Sequence, residues 1–154
     1  MITISTLISI CTLFVAIFTL VFTLINNKKT RRISVLLAER QKKQDEVFKH
    51  ITYVLDLGRK SNDINDELEK QKIKYELLNR KVLIWVYLNK QNKYAKEMRK
   101  NCNLYITWCA SSLENNDIDV RKMYLSEADE SAKEIWVLID KYIEEEDKLK
   151  NRLI

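Results

Sequence analysis

The first twenty-five residues contain no Asp, Glu, Lys, Arg or His, whereas charged residues are frequent throughout the rest of the chain. Residues 4–25 form an apolar run of twenty-two residues, which would extend for roughly 33 Å as an α-helix. The hydrocarbon core of a bilayer is about 30 Å thick. The run therefore predicts a transmembrane helix within residues 1–25.

A cleaved signal peptide is the alternative interpretation of this run. It would need a basic region before the run, a shorter apolar core and a small-residue cleavage site. Here the amino terminus is the only charge before the run, and the residues after it, NNKKTRR, contain no Ala-x-Ala pattern. We therefore expect an uncleaved anchor.

A basic cluster follows the apolar run. Its members are Lys28, Lys29, Arg31, Arg32, Arg40, Lys42 and Lys43. Cytoplasmic flanks of membrane helices carry an excess of Lys and Arg, so we expect the amino terminus outside and the rest of the chain in the cytoplasm. The cluster could also bind anionic lipid headgroups, each cation contributing about 1 kcal/mol near the surface. A purely orienting role is an equal alternative.

Small and hydroxylated residues form one stripe along the predicted span, at alternating spacings of four and three. They are Ser5, Ser9, Thr12, Ala16, Thr19 and Thr23. Such residues let membrane helices approach closely and hydrogen-bond to each other, so the stripe favours a self-associating span. The alternative is that the hydroxyls bond back to carbonyls of their own helix.

The composition predicts an all-α protein, because the chain has one glycine and no proline. We expect the span to continue as a basic juxtamembrane stalk helix over residues 26–57, with a solvated section at residues 39–46. Gly58 is placed to end this helix in a left-handed cap. Residues 61–154 then predict an antiparallel bundle of about three helices that pack on the stalk helix. Heptad-like spacing also permits coiled-coil packing between subunits.

Helix boundaries within the bundle are predicted from caps and apolar periodicity. Ser61, Asn62 and Asp63 are N-cap candidates for the second helix. Its predicted apolar stripe is Ile64, Leu68, Tyr75, Leu78, Val82 and Trp85, widened by a second row of Ile73, Leu77, Ile84 and Leu88. Residues 89–92 are either a turn or a polar patch, and residues 114–117 are a break. The later stripes are Tyr94, Met98, Cys102, Tyr105, Trp108, Cys109 and Leu113, then Val120, Tyr124, Ala128, Ser131, Ile135, Leu138 and Tyr142.

No pattern in the sequence indicates catalysis, a metal or a cofactor. His50 is the only histidine, and we expect it to be partly exposed on the stalk. Cys102 and Cys109 lie about 10 Å apart along a helix, too far for a disulfide with each other, and are predicted to be core residues. One glycine cannot build a phosphate-binding loop. We therefore expect a protein that is not an enzyme.

The net charge of +5 is unevenly distributed. Residues 26–60 carry ten Lys or Arg and four Asp or Glu. Residues 61–114 carry ten basic and seven acidic residues, and residues 115–154 carry seven basic and eleven acidic residues. This gradient favours anionic lipid over nucleic acid as the partner of the basic end. Lysines interleave with Tyr75, Trp85, Tyr87 and Tyr94, but three of these aromatic residues (Tyr75, Trp85 and Tyr94) lie on predicted core stripes, which ranks a membrane-tethered nucleic-acid binder third.

The leading hypothesis is a bacterial-type single-pass protein of the cell membrane that mediates protein–protein contacts as a homo-oligomer. Its expected partners are membrane lipid, further copies of itself, and another membrane or cytoplasmic protein. The second hypothesis is a membrane-active effector, of the kind found in mobile elements or phage defence, that acts by clustering of the span. That hypothesis predicts growth arrest on overexpression, abolished when Thr12, Ala16 and Thr19 become Leu.

Overall fold

The computed structural model describes residues 4–62, 64 and 66–153, except for the side chains of residues 5–7. Over these residues it contains four α-helices and no strand, which confirms the all-α prediction. The helices are α1 (Ile4–Lys60), α2 (Glu67–Tyr87), α3 (Ala95–Glu114) and α4 (Ile118–Asn151).

The chain divides into two compact units, Met1–Glu39 and Arg40–Ile154, here called the amino-terminal unit and the helical unit. Helix α1 supplies residues to both. In the amino-terminal unit, α1 carries the apolar run, and an 18-residue window of this helix has a mean hydropathy of 2.6 and no buried residue. Within the described residues, α1 is the one helix long and apolar enough to cross a membrane.

The core of the helical unit is built by the last third of α1 together with the other three helices. Helix α3 packs along α4 and also contacts α2. The side chains with almost no solvent exposure are Val47, Ile51, Val54, Leu77, Ile84, Met98, Cys102, Ile106, Cys109, Ile135 and Tyr142. From Ala128 to Tyr142, the buried residues of α4 follow the predicted stripe. In α3 the predicted residues Met98, Cys102, Tyr105, Cys109 and Leu113 are buried and Trp108 is half-buried, whereas Ile106, Ala110 and Ser112 are buried outside the predicted stripe.

The prediction of a solvated section at residues 39–46 is wrong at Gln44, which is buried. The Lys150 amine of α4 donates hydrogen bonds of 2.8 Å to the side-chain oxygens of Gln41 and Gln44. A polar residue can be buried where a distant donor satisfies it, and apolar periodicity does not register such a contact.

The predicted end of the first helix is also corrected. Helix α1 continues two residues past Gly58, and no described glycine has a positive φ, so Gly58 is not a left-handed cap. A Cβ at Gly58 would overlap the buried Tyr105 side chain, whose hydroxyl donates a 3.0 Å hydrogen bond to the carbonyl of Leu55. The glycine is therefore required for close approach between α1 and α3.

Helix α2 begins later than the N-cap candidates predicted. Ser61 closes α1 instead, because its hydroxyl donates to the Gly58 carbonyl at 2.6 Å and its backbone N–H donates to Leu57. The N-cap of α2 is Asp66, whose carboxylate accepts from the Leu68 N–H. The candidate Asp63 lies outside the described residues.

The two remaining boundaries agree with the sequence. Residues 89–92 form a turn, in which the Asn92 N–H donates to the Asn89 carbonyl at 3.0 Å. The predicted break at residues 114–117 separates α3 from α4. Asp117 caps α4 by accepting from the Asp119 and Val120 N–H groups at 2.9 and 3.4 Å.

Candidate interaction surfaces

The threonine hydroxyls of the span stripe are bonded within their own helix. Thr12, Thr19 and Thr23 donate to the carbonyls four residues earlier, at 2.5, 2.7 and 2.7 Å. Ser9 and Ala16 are exposed, and the side chain of Ser5 lies outside the described residues. Because the threonine hydroxyls already have acceptors, a contact between spans would rest on close packing of small residues rather than on bonds between helices. Self-association of the span stays a prediction.

The basic cluster is divided between the two units. Lys28, Lys29, Arg31 and Arg32 are exposed in the amino-terminal unit, and Lys42 and Lys43 are exposed in the helical unit. Arg40 is half-buried and donates a 3.0 Å hydrogen bond to the Gln91 side chain in the turn before α3. Arg40 therefore has a partner within the helical unit, whereas the four residues nearest the apolar run present their charges to solvent.

The outer side of α2 carries large apolar side chains that no element in the described part of the chain covers. This α2 apolar face consists of Leu68, Tyr75, Leu78, Val82 and Val86, which are 77%, 72%, 44%, 61% and 62% exposed. The first four had been predicted to lie in the core. The second row, Ile73, Leu77, Ile84 and Leu88, is buried instead. Both rows are apolar and lie on opposite sides of the helix, so periodicity did not identify which one faces the core.

The α2 apolar face is large enough to matter for association. At roughly 150–220 Å² per side chain, the five residues leave about 500–600 Å² of apolar surface, the upper end for the largest patch on an ordinary monomer. Leu68, Tyr75 and Val82 recur every seven residues, with Leu78 between them. This is the spacing with which a helix packs lengthwise against another helix.

A second surface feature is a basic groove between α2 and α3. Its volume is about 460 Å³, and its lining residues are Trp85, Lys96, Arg99, Lys100, Asn103, Leu104 and Thr107, here called the Trp85 groove. The Arg99 guanidinium lies 3.7 Å from the centre of the Trp85 ring, and the Lys90 amine lies 5.2 Å from it. The groove therefore combines the apolar side chains of Trp85 and Leu104 with cations, some of which lie over the Trp85 ring.

The aromatic residues that could have stacked on nucleic-acid bases are in mixed surroundings. Tyr75 is exposed, which corrects its predicted core position, and Trp85 and Tyr94 are half-buried. However, cations already cover Trp85, and the Lys93 amine lies 4.9 Å from the Tyr94 ring centre. Ring faces occupied by Lys or Arg are not available for base stacking, the main source of single-strand affinity beyond charge.

Both cysteines of α3 are core residues, as predicted. Cys102 and Cys109 are free and buried, and desolvation by burial raises the pKa of each thiol to about 12. The protonated thiol is a poor nucleophile and a poor metal ligand. Over the residues that the structure describes, no cluster of three or more His, Cys, Asp or Glu side chains has the arrangement of a metal site.

The prediction of a partly exposed His50 is wrong, because its relative exposure is 5%. Arg80 of α2 lies 2.9 Å from its Nδ1, and the carboxylate of Glu46 lies 3.7 Å from its Nε2. The ring also contacts Tyr87, at a centroid distance of 5.6 Å. Since a guanidinium can only donate, Nδ1 accepts and the proton of the neutral ring is on Nε2.

His50 should make the stability of the helical unit depend on pH. Desolvation by burial, and then the charge of Arg80, hold the pKa of His50 below its ordinary value of 6.5. The charge of Glu46 raises this pKa, and Lys49 lowers it by a smaller amount. The unfolded chain therefore binds this proton more readily, and stability falls as the pH drops below about 6.5 toward the folded pKa, by at most about 1.4 kcal/mol per pH unit.

We expect His50→Gln to flatten this dependence between pH 7 and pH 5. Glutamine keeps an acceptor for Arg80 and does not titrate. The measurement is urea unfolding followed by tryptophan fluorescence, since all three tryptophans, Trp85, Trp108 and Trp136, lie in the helical unit. If the free energy of unfolding fell equally steeply with pH in both proteins, the pH dependence could not be assigned to His50.

Comparisons of this chain with protein-family models, with curated proteins and with solved structures find no match. Interpretation of the surfaces therefore depends on their chemistry alone.

Proposed function

We propose that this protein is a single-pass membrane-anchored interaction protein that assembles with copies of itself and holds its helical unit at the cytoplasmic side of the membrane. The observation that carries the proposal is the α2 apolar face, because it places five large exposed apolar side chains on one side of a single helix. A patch of this size is at the upper end for an ordinary monomer, and such patches are often functional.

The membrane anchor makes a contact of this size effective. Two copies of the α2 apolar face would together bury about 1,000–1,200 Å², the lower limit for specific interfaces. Such a contact is weak between free proteins. When the spans of two copies are in contact, the α2 contact becomes a second, intramolecular binding event with an effective concentration in the millimolar range. The two contacts together can then hold copies that neither contact would hold alone.

The charge distribution supports the proposed orientation. Lys28, Lys29, Arg31 and Arg32 follow the apolar run directly and are exposed. Cations at this position keep their end of a span in the cytoplasm and attract anionic headgroups there. The helical unit follows these residues in the chain and would then be cytoplasmic.

The test is the mass of the full-length protein in mild detergent, measured by light scattering. We expect a defined oligomer that shifts toward monomer in the variant Tyr75→Ser, Val82→Ser, since two central apolar contacts become polar. Ile118→Ser is the matched control, because Ile118 is 68% exposed but lies outside the α2 apolar face. A second variant, Thr12→Leu, Ala16→Leu, Thr19→Leu, measures how much the span contributes to self-association. A monomeric wild type would contradict the proposal.

A further inference from the structure

The Trp85 groove has the chemistry of a docking site for an acidic helix. Lys96, Arg99 and Lys100 line it and are exposed, and none of its lining residues is acidic. Trp85 and Leu104 provide the apolar part of the surface. The lining residues of α3 extend from Lys96 to Thr107, which corresponds to about 16 Å along a helix. An occupant should therefore be a helix that presents carboxylates together with apolar side chains over about three turns.

The outer side of α4 presents such a surface. Met123, Glu127, Glu130, Glu134 and Val137 recur at spacings of four and three, and all five are exposed. This α4 acidic face extends for about 21 Å. Glu130 also pairs with Lys133 at 3.2 Å on the same helix. Together with Glu127 and Glu134 it places three carboxylates between two apolar residues, which complement the three cations beside Trp85 and Leu104. The same contrast is present in the sequence, where residues 61–114 are net basic and residues 115–154 are net acidic.

Within one copy the groove and the acidic face cannot meet. The buried residues of α4, including Ile135 and Leu138, point toward the core, and Glu130, Glu134 and Val137 lie on the opposite side of that helix. The cations of the groove likewise lie on the side of α3 away from Met98 and Cys102. Contact between the two surfaces requires a second molecule.

We propose that the Trp85 groove of one copy receives the α4 acidic face of a second copy. The inference rests on the proposed self-assembly and names a contact that the α2 apolar face does not supply. Because the two surfaces differ, the contact is head-to-tail, and a pair of copies keeps one free groove and one free acidic face for further neighbours. Repetition of this contact would produce a ring or an extended array at the membrane.

Charge reversal in the full-length protein tests the proposal. The groove variant is Arg99→Glu, Lys100→Glu, and the α4 variant is Glu130→Lys, Glu134→Lys. Donor- and acceptor-labelled copies are mixed in mild detergent, and energy transfer gives the apparent dissociation constant. We expect each variant alone to associate about tenfold or more weakly than wild type, because like charges now face each other. Association should also weaken at about 1 M salt, where charges are screened within about 3 Å.

Mixing the two variants is the decisive arm. The acidic groove of the first then meets the basic α4 of the second, and the unchanged groove of the second meets the unchanged α4 of the first. We expect the mixture to recover to within about threefold of wild type. The matched control is Lys60→Glu, Lys72→Glu, which changes the charge equally at exposed positions outside the groove and should leave association unchanged.

The outcomes separate this inference from the proposed function. A wild-type oligomer that does not respond to either reversal would overturn the groove contact and leave self-assembly standing. If both variants associate more weakly and their mixture does not recover, the α4 acidic face is not the occupant of the Trp85 groove. A wild type that shows no energy transfer would contradict both proposals.

Discussion

Gly58→Ala should destabilise the helical unit by about 1–3 kcal/mol, although alanine is the better helix former by about 1 kcal/mol. The added Cβ would overlap the hydroxyl and ring of Tyr105, a residue with 3% exposure. The Tyr105 side chain cannot move away without losing its hydrogen bond to Leu55 and disturbing the contact between α1 and α3. The cost of this overpacking exceeds the gain in helix propensity.

Urea unfolding followed by tryptophan fluorescence measures this effect in the full-length protein. Thr52→Ala is the matched control on the same helix, because Thr52 is exposed and we expect a change within about 0.5 kcal/mol. A double variant, Gly58→Ala with Tyr105→Leu, should lose less stability than the sum of the single changes, since leucine removes the ring that the Cβ meets. Strict additivity, or a stabilised Gly58→Ala protein, would show that the overlap is relieved at little cost.

Elements with a single apolar stripe could be predicted from the sequence. Helix α4 has one such stripe, and its buried residues from Ala128 to Tyr142 lie where the spacing indicates. The same holds for the apolar run, whose length and composition are sufficient to identify a candidate span. In each case one local pattern in the sequence is sufficient for the structural prediction. In α3 the spacing predicted the buried residues Met98, Cys102, Tyr105, Cys109 and Leu113, but Ile106, Ala110 and Ser112 are also buried.

Helix α2 is the opposite case, because it is apolar on two sides. The α2 apolar face and the buried row of Ile73, Leu77, Ile84 and Leu88 satisfy the helical period equally well. Contacts with neighbouring helices decide which of the two rows faces the core. One such contact joins Arg80 of α2 to His50 of α1. The candidate interaction surface was therefore missed, although the excess of apolar residues for a helix buried on one side was visible in the sequence.

Gly58 and the buried polar residues required the tertiary structure. The position of Gly58 near a helix end is typical of a cap, whereas its role depends on Tyr105, which follows forty-seven residues later. Gln44, His50 and Glu146 are polar residues at low exposure, and each is satisfied by a partner on another helix or turn. Periodicity of apolar residues carries no information about such pairs.

Glu146 supports the second large prediction, because it is 1% exposed and holds the turn between α2 and α3 against α4. Its carboxylate accepts from the Asn89 amide at 2.8 and 3.1 Å and from the Asn92 amide at 2.9 Å. Asn92 also donates to the Tyr142 carbonyl, and the Tyr142 hydroxyl accepts from the Asn89 N–H at 2.8 Å. The turn is thus attached to α4 by a buried polar network.

Glu146→Ala should destabilise the helical unit by about 2–4 kcal/mol, since one N–H of the buried Asn92 amide and the amide of the half-buried Asn89 lose their acceptor and a small cavity opens. The matched control is Glu144→Ala, because Glu144 lies two residues earlier on α4 and is exposed. It should change stability by less than about 0.5 kcal/mol. Glu146→Gln should give an intermediate loss, because one of its two terminal atoms still accepts while the other becomes a donor that faces donors.

A double-mutant cycle separates the network from the cavity. If the amide of Asn89 is a true partner, Asn89→Ala combined with Glu146→Ala should cost less than the sum of the single variants, because the second change removes a donor that the first left unpaired. The pair Asn89→Ala and Glu144→Ala should be additive. Urea unfolding of the full-length protein supplies all of these values, and additivity at Glu146 would mean that cavity formation alone accounts for its cost.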